Sequence, residues 1–141
     1  MLPEYEHVVQ YYETDQMKIV HHSNYIRWFE EARLWFMAQA GISYEKIEED
    51  GVVIPVVEAQ ASYRSMVRFG DTVLIRPRIE KFNGAVLELS YEVKDKKTGV
   101  LRCQGRTRHC FLNPDGKLML LKHDKPEYHA FFEKMKNEQD S

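Results

Sequence analysis

Residues 14–24 bring together an aspartate (Asp15), two adjacent histidines (His21, His22) and a Ser23-Asn24 pair. The chain then runs without a break into Tyr25-Ile26-Arg27-Trp28-Phe29. A carboxylate can attack a carbonyl carbon or take a proton from water. An imidazole, with an ordinary pKa of about 6.5, can orient either partner or protonate a leaving atom. Here both stand just ahead of an apolar helical pattern. The first turn of a helix carries unpaired backbone N–H groups and the positive end of the dipole, which together can hold an oxyanion. The segment therefore reads as an active site rather than a connector.

The elements that must position these residues are visible as periodicity. A first strand is predicted over about residues 6–12, followed by the loop 13–23. Ser23 is a good N-cap for a helix over about residues 24–40, which ends at Gly41. Tyr25, Trp28, Phe29, Ala32, Trp35, Phe36 and Ala40 follow helical spacing, and Ile26, Leu34 and Met37 widen the stripe. A helix so apolar belongs in the middle of a domain. A short helix over residues 43–49 closes at Gly51, after which the period becomes two. Strands are predicted over about residues 52–64, 72–82, 86–94 and 100–112, with Asn83-Gly84 as a strong hairpin signal. A last helix over about 126–136 starts at Pro126 and puts Tyr128, Phe131, Phe132 and Met135 on one face. The expectation is one α+β domain over residues 1–141, a five-stranded antiparallel sheet wrapped around a long central helix, with residues 137–141 as a frayed tail.

Composition narrows the function classes. Apolar residues make up 43% and charged residues 30%, as in ordinary globular domains. A net charge of −2 offers no general attraction to nucleic acid or membrane surfaces. Residues 1–10 lack a signal-peptide pattern, and no apolar run approaches the ~20 residues of a membrane span. The expectation is a cytoplasmic protein. Cys103 and Cys110, an odd number of positions apart on one strand, point to opposite faces and are expected to be free thiols. On that strand Leu101, Cys103, Gly105, Thr107, His109 and Phe111 form one row, and Arg102, Gln104, Arg106 and Arg108 the other. The basic row suits a solvated surface or a groove for a phosphorylated ligand.

The chain resembles the hotdog-fold acyl-CoA thioesterases, in the branch that includes hydroxybenzoyl-CoA thioesterase. The resemblance rests on Tyr11-Tyr12-Glu13-Thr14-Asp15, on Ile19-Val20-His21-His22-Ser23-Asn24-Tyr25, and on Phe29-Glu30 with Ala32-Arg33. Tyr63 to Asp71 and the run from Thr107 to Lys117 extend it over essentially the whole chain. The resemblance implies Asp15 as the catalytic acid and the backbone amide of His22 as the group that polarises the thioester carbonyl. It also implies the His22 ring and Tyr11 as assistants, and homo-oligomers, dimers or tetramers, with sites at subunit interfaces. Lys18 stands where the family often has Gly, and Met66 where it commonly has Pro.

The implied reaction is hydrolysis of an acyl-CoA, or acyl-carrier-protein, thioester. Asp15 would act either as nucleophile through a mixed anhydride or as general base on water. Neither route requires a metal or a cofactor, since coenzyme A is part of the substrate. Asn24 suits either substrate or the loop backbone, while Arg68, Arg106 and Arg108 are candidate partners for the CoA phosphates. His21 is assigned to structure, and Glu30 and Glu31 to pairing with Arg27 or Arg33. Two alternatives stand beside this reading. One is an enoyl-CoA hydratase of the same fold, whose Asp and His lie five positions apart rather than seven. The other is a non-catalytic acyl-CoA-binding module.

Overall fold

The computed structural model describes residues 3–140. Strand β1 (Tyr5–Val8) is followed by a single 3-10 turn at Tyr11–Glu13, and the long helix α1 spans Ser23–Gln39. Helix α2 (Tyr44–Glu49) leads into strands β2 (Val56–Tyr63), β3 (Thr72–Phe82), β4 (Leu87–Asp95) and β5 (Leu101–His109). Two C-terminal helices, α3 (Leu121–Asp124) and α4 (Pro126–Glu138), complete the domain. The sheet order is β1-β3-β4-β5-β2, with every pairing antiparallel.

The sheet wraps around α1 because both surfaces are apolar where they meet. Trp28, Phe29 and Ala32 of the helix are fully buried, as are Val73, Ile75 and Val93 of the strands. Full burial of side chains of this size contributes roughly 1.5–3 kcal/mol each. Gly105 makes the closest approach possible. A Cβ there would stand 2.2 Å from the Phe29 ring, and without it Phe29 stacks on Tyr91 at 4.5 Å between centroids, with planes 10° apart. The Asn83-Gly84 turn joins β3 to β4 with Gly84 at a φ of +88°, where L side chains are strained.

A polar chain crosses this apolar seam. Arg33, buried on α1, donates to the Tyr91 hydroxyl at 3.1 Å. Tyr91 bonds Thr107 at 2.6 Å, and Thr107 bonds His109 Nε2 at 2.9 Å. His109 is fully buried. Burial, with the Arg33 charge adding to it, pushes the imidazole down to about 4.

Several predicted boundaries change. The first strand stops at Val8 because the chain turns there. Gln10 N–H donates to the Glu13 carboxylate and Thr14 N–H to the Tyr11 carbonyl, which leaves Tyr11 and Tyr12 exposed. Pro55 lacks the N–H a ladder needs, so β2 begins at Val56, and Val53 keeps only an isolated bridge to Leu112. Ser23 is the first helical residue rather than the cap, a place taken by His22 in αR geometry. Its hydroxyl bonds His21 Nδ1 at 2.8 Å. Helix α3 has no counterpart in the predicted elements. The expected frayed tail is tied down as far as Asp140. Gln139 bonds both N and O of Ile79 where the β3–β4 register shifts, and Asp140 pairs with Arg78. Ser141 lies outside the described residues. Cys103 and Cys110 are free thiols, one buried and one half-buried.

Candidate active site

The 13–22 segment is a small hairpin laid against the start of α1. Thr14 bridges Val20, Asp15 N–H donates to Ile19 O at 2.9 Å, and Lys18 N–H donates to Asp15 O at 2.9 Å. The Asp15 carboxylate accepts from Met17 N–H at 2.8 Å, an Asx turn that fixes one oxygen. At the tip Lys18 adopts a φ of +64°, the conformation in which Gly is the easiest residue. Lys18 thus keeps the loop shape that a Gly would take, at a cost in backbone strain. Val20 N–H to Val67 O, at 2.8 Å, ties the hairpin to the segment after β2.

The far end of the hairpin meets α1 with one donor left over. His21 N–H goes to Glu13 O, Ser23 N–H to the His21 ring, Asn24 N–H to His21 O and Tyr25 N–H to His22 O. Among the described residues, His22 N–H alone in this stretch has no acceptor. It stands at the N-cap, where the helix dipole is most positive.

Asp15 and His22 line one cavity of about 390 Å³, together with Ile19, Val20, Tyr25, Tyr63, Arg64, Ser65 and Met66. The Tyr63 hydroxyl reaches His22 O at 3.5 Å, and its ring meets His22 and Tyr25 edge-on. Burial raises the phenols of Tyr25 and Tyr63, so both remain protonated hydrogen-bond donors at neutral pH. Nearby Cys103 is fully buried, which pushes its thiol up to about 12 and removes it as a nucleophile.

The other sequence candidates lie elsewhere. Tyr11 is 76% exposed and packs edge-on against Phe69, outside the cavity lining. Asn24 is buried, and its amide donates to Glu13 O at 2.9 Å and His21 O at 3.4 Å, so it holds the loop backbone. Arg68 has an exposed side chain on a turn closed by its own N–H to Asp71. Arg106 lies on the outer face of the sheet in a shallow groove of about 640 Å³, shared with Arg76 and Arg78. Arg108 pairs with Glu88 at 3.6 Å and Glu58 at 3.9 Å. The basic side chain at the cavity is Arg64, which sequence parity did not single out. Glu31 meets Tyr5 at 3.0 Å and His7 at 3.5 Å instead of Arg27 or Arg33, because α1 presents that face to β1.

A long helix held in a five-stranded antiparallel sheet is the architecture of the hotdog fold, which the structural neighbours share. The chain belongs to the thioesterase-like superfamily, whose family model matches residues 9–131, and it is a thioester hydrolase. It is 32% identical over 129 residues to the Bacillus subtilis (strain 168) protein YneP, provisionally named an acyl-CoA thioesterase. That match spans 91% of this chain and 93% of the relative. The crystal structure of DHNA-CoA thioesterase from Staphylococcus aureus superposes with a TM-score of 0.90 at 28% identity, covering 98% of this chain and 94% of that one. Thermus thermophilus protein TT1821 superposes with a TM-score of 0.85 at 33% identity, covering 94% and 98%. No helix among the described residues is long and apolar enough to cross a membrane.

Proposed function

We propose that the Asp15–His22 cavity is where the chain hydrolyses acyl- or aryl-CoA thioesters. The observation that carries this reading is that His22, whose N–H at the start of α1 has no acceptor among the described residues, lines the same cavity as Asp15. The thioester carbonyl oxygen lies against that amide, which stabilises the negative charge as the tetrahedral species forms. Such a donor is worth ~10²–10³ in rate in other enzymes. Asp15 either takes a proton from water, whose oxygen then attacks the carbonyl carbon, or attacks that carbon itself to give a mixed anhydride that water opens. In both routes the C–S bond breaks and CoA leaves as a thiolate, which the His22 ring or solvent protonates. Coenzyme A enters as part of the substrate, and no further cofactor takes part.

The edge of β2 supports a homodimer. Strand β2 is paired on one side only, is solvent-exposed along most of its length, and carries Val56, Val57 and Tyr63 with about half of each surface open. An unpaired, apolar edge invites pairing with a second copy. Tyr63 and Arg64, at its end, line the cavity, so a partner strand would complete the wall.

The Staphylococcus aureus relative's name makes DHNA-CoA the first thioester to try, alongside benzoyl-, acetyl-, octanoyl- and palmitoyl-CoA and an acyl-carrier-protein thioester. Thiol release is followed with a chromogenic reagent. Asp15→Ala should lower kcat by about 10²–10⁴ on whichever thioester is cleaved, with an unchanged circular dichroism spectrum. A variant as fast as wild type would remove Asp15 from the reaction. Single-turnover hydrolysis in ¹⁸O-water tests for the anhydride. Label in the Asp15 side chain requires water to open an anhydride at the Asp15 carbonyl, whereas the general-base route, like opening at the acyl carbonyl, puts label only in the product acid.

A further inference from the structure

Glu13 lies two residues before Asp15, yet its side chain is turned inward and only 4% of the residue is exposed. One carboxylate oxygen accepts from Trp28 Nε1 on α1 at 2.6 Å. The other accepts from Gln10 N–H at 2.8 Å and lies 2.8 Å from His7 Nε2 on β1. The Glu13 carbonyl takes two further donors, His21 N–H at 2.9 Å and Asn24 Nδ2 at 2.9 Å. A single residue thus joins the first strand, both ends of the 13–22 hairpin and the central helix.

The other contacts of the hairpin do different work. The Thr14–Val20 bridge and the Asp15–Ile19 and Lys18–Asp15 bonds are internal and set its shape, and Val20–Val67 holds its outer side. These bonds tie Asp15 to the stretch that leads into α1, but none of them reaches the body of the helix. The Glu13 side chain does, because Trp28 is six residues beyond His22 on the same rigid helix. A buried carboxylate is an expensive way to fill such a space unless its oxygens are hydrogen-bonded, and here each of them is. Burial by itself would raise this carboxyl, but the Gln10, Trp28 and His7 donors together outweigh it and keep the group below the usual carboxylate range, so it is ionised at neutral pH.

We propose that Glu13 is a positioning residue of the thioesterase site, whose side chain locks the Asp15 carboxylate in register with the His22 amide through its bonds to Trp28, Gln10 and His7. The proposal rests on the Asp15–His22 reading above. A displacement of about 1 Å between reacting groups can cost ~10²-fold in rate, so the lock acts on turnover rather than on binding.

The test is a cycle with Asp15, run on the panel thioester cleaved fastest. In Glu13→Gln an NH₂ group replaces one of the two acceptor oxygens, so the set of donors cannot all be met. The expected result is a kcat at least tenfold lower, with KM within about threefold. Added to Asp15→Ala, the same change should leave the residual rate within twofold, because its effect acts through Asp15. Trp28→Phe, which removes one donor and keeps the carboxylate, should give a smaller fall in kcat, again without a KM change, and serves if Glu13→Gln does not fold. Phe132→Leu, in the distant α4 core, supplies a destabilised control that retains wild-type kcat. Wild-type kcat in Glu13→Gln, or in Trp28→Phe where only that variant folds, alongside an inactive Asp15→Ala, would overturn the positioning role alone. An equal loss from Glu13→Gln with and without Asp15 would overturn it too. Full activity in Asp15→Ala would overturn the catalytic reading and this one with it.

Discussion

His109 should make this protein lose stability in mild acid, over a defined window. The imidazole is fully buried, bonded through Nε2 to Thr107, and held at about 4 against an ordinary 6.5. Above pH 6.5 the ring is neutral in both folded and unfolded chains and contributes no pH dependence. Between 6.5 and 4 the unfolded chain takes up a proton that the folded chain refuses, so stability falls as the pH falls. Below 4 both states are protonated and the loss levels off. The gap of 2.5 units (6.5 − 4) corresponds to about 3 kcal/mol. That is a large fraction of the 5–15 kcal/mol typical of a domain. The measurement is urea unfolding at pH 7, 6, 5 and 4, followed by tryptophan fluorescence, for wild type and His109→Gln. Glutamine can keep the bond to Thr107 and does not titrate. The variant should be less stable at pH 7, yet lose about 3 kcal/mol less than wild type between pH 7 and 4. Parallel losses in the two proteins would refute the reasoning, because they would mean that the ring is not held neutral by the fold.

Lys18→Gly should raise stability by up to about 1 kcal/mol, read as a higher thermal midpoint, since Lys18 occupies the left-handed region at φ +64°. Lys18→Val at the same place should lower the midpoint. Gly105→Ala should cost about 1–3 kcal/mol or prevent folding altogether, because the new Cβ stands 2.2 Å from Phe29 and 3.1 Å from Gln60 O; chemical denaturation measures this. Val57→Lys, which places a charge on the open β2 edge, should shift a dimer to monomers in analytical ultracentrifugation and lower activity with it. An unchanged sedimentation coefficient would place the interface elsewhere.

Much of the scaffold was legible because it is written locally. Strand β3 spans Thr72–Phe82 as its period-two pattern predicted, the Asn83-Gly84 hairpin turns where expected, and the aromatic stripe of α1 is core. The Asp15 loop could be located for the same reason: an acid, a pair of histidines and a helix start are close neighbours in the chain. Where periodicity was interrupted by a single residue, as at Pro55, the boundary moved by a few positions.

The polar partners were a different matter. Glu13 bonds Trp28 across fifteen positions, and Arg33 bonds Tyr91 across fifty-eight. Nothing in the spacing of either residue announces its partner. Glu31 was expected to find an arginine on its own helix, yet it faces β1, where Tyr5 and His7 are the available donors. Asn24 and Tyr11 are equally polar on paper; the fold turns one inward onto the loop carbonyls and leaves the other facing solvent. Sequence alone therefore determined the alternation of elements and brought an acid, two histidines and a helix start into one segment, because hydrophobic periodicity and turn residues act over a few positions. Tertiary structure alone decided which amide stays unpaired, which carboxylate is buried and which faces the cavity wall, because a buried polar group must take its partners from whatever the packing brings within about 3 Å.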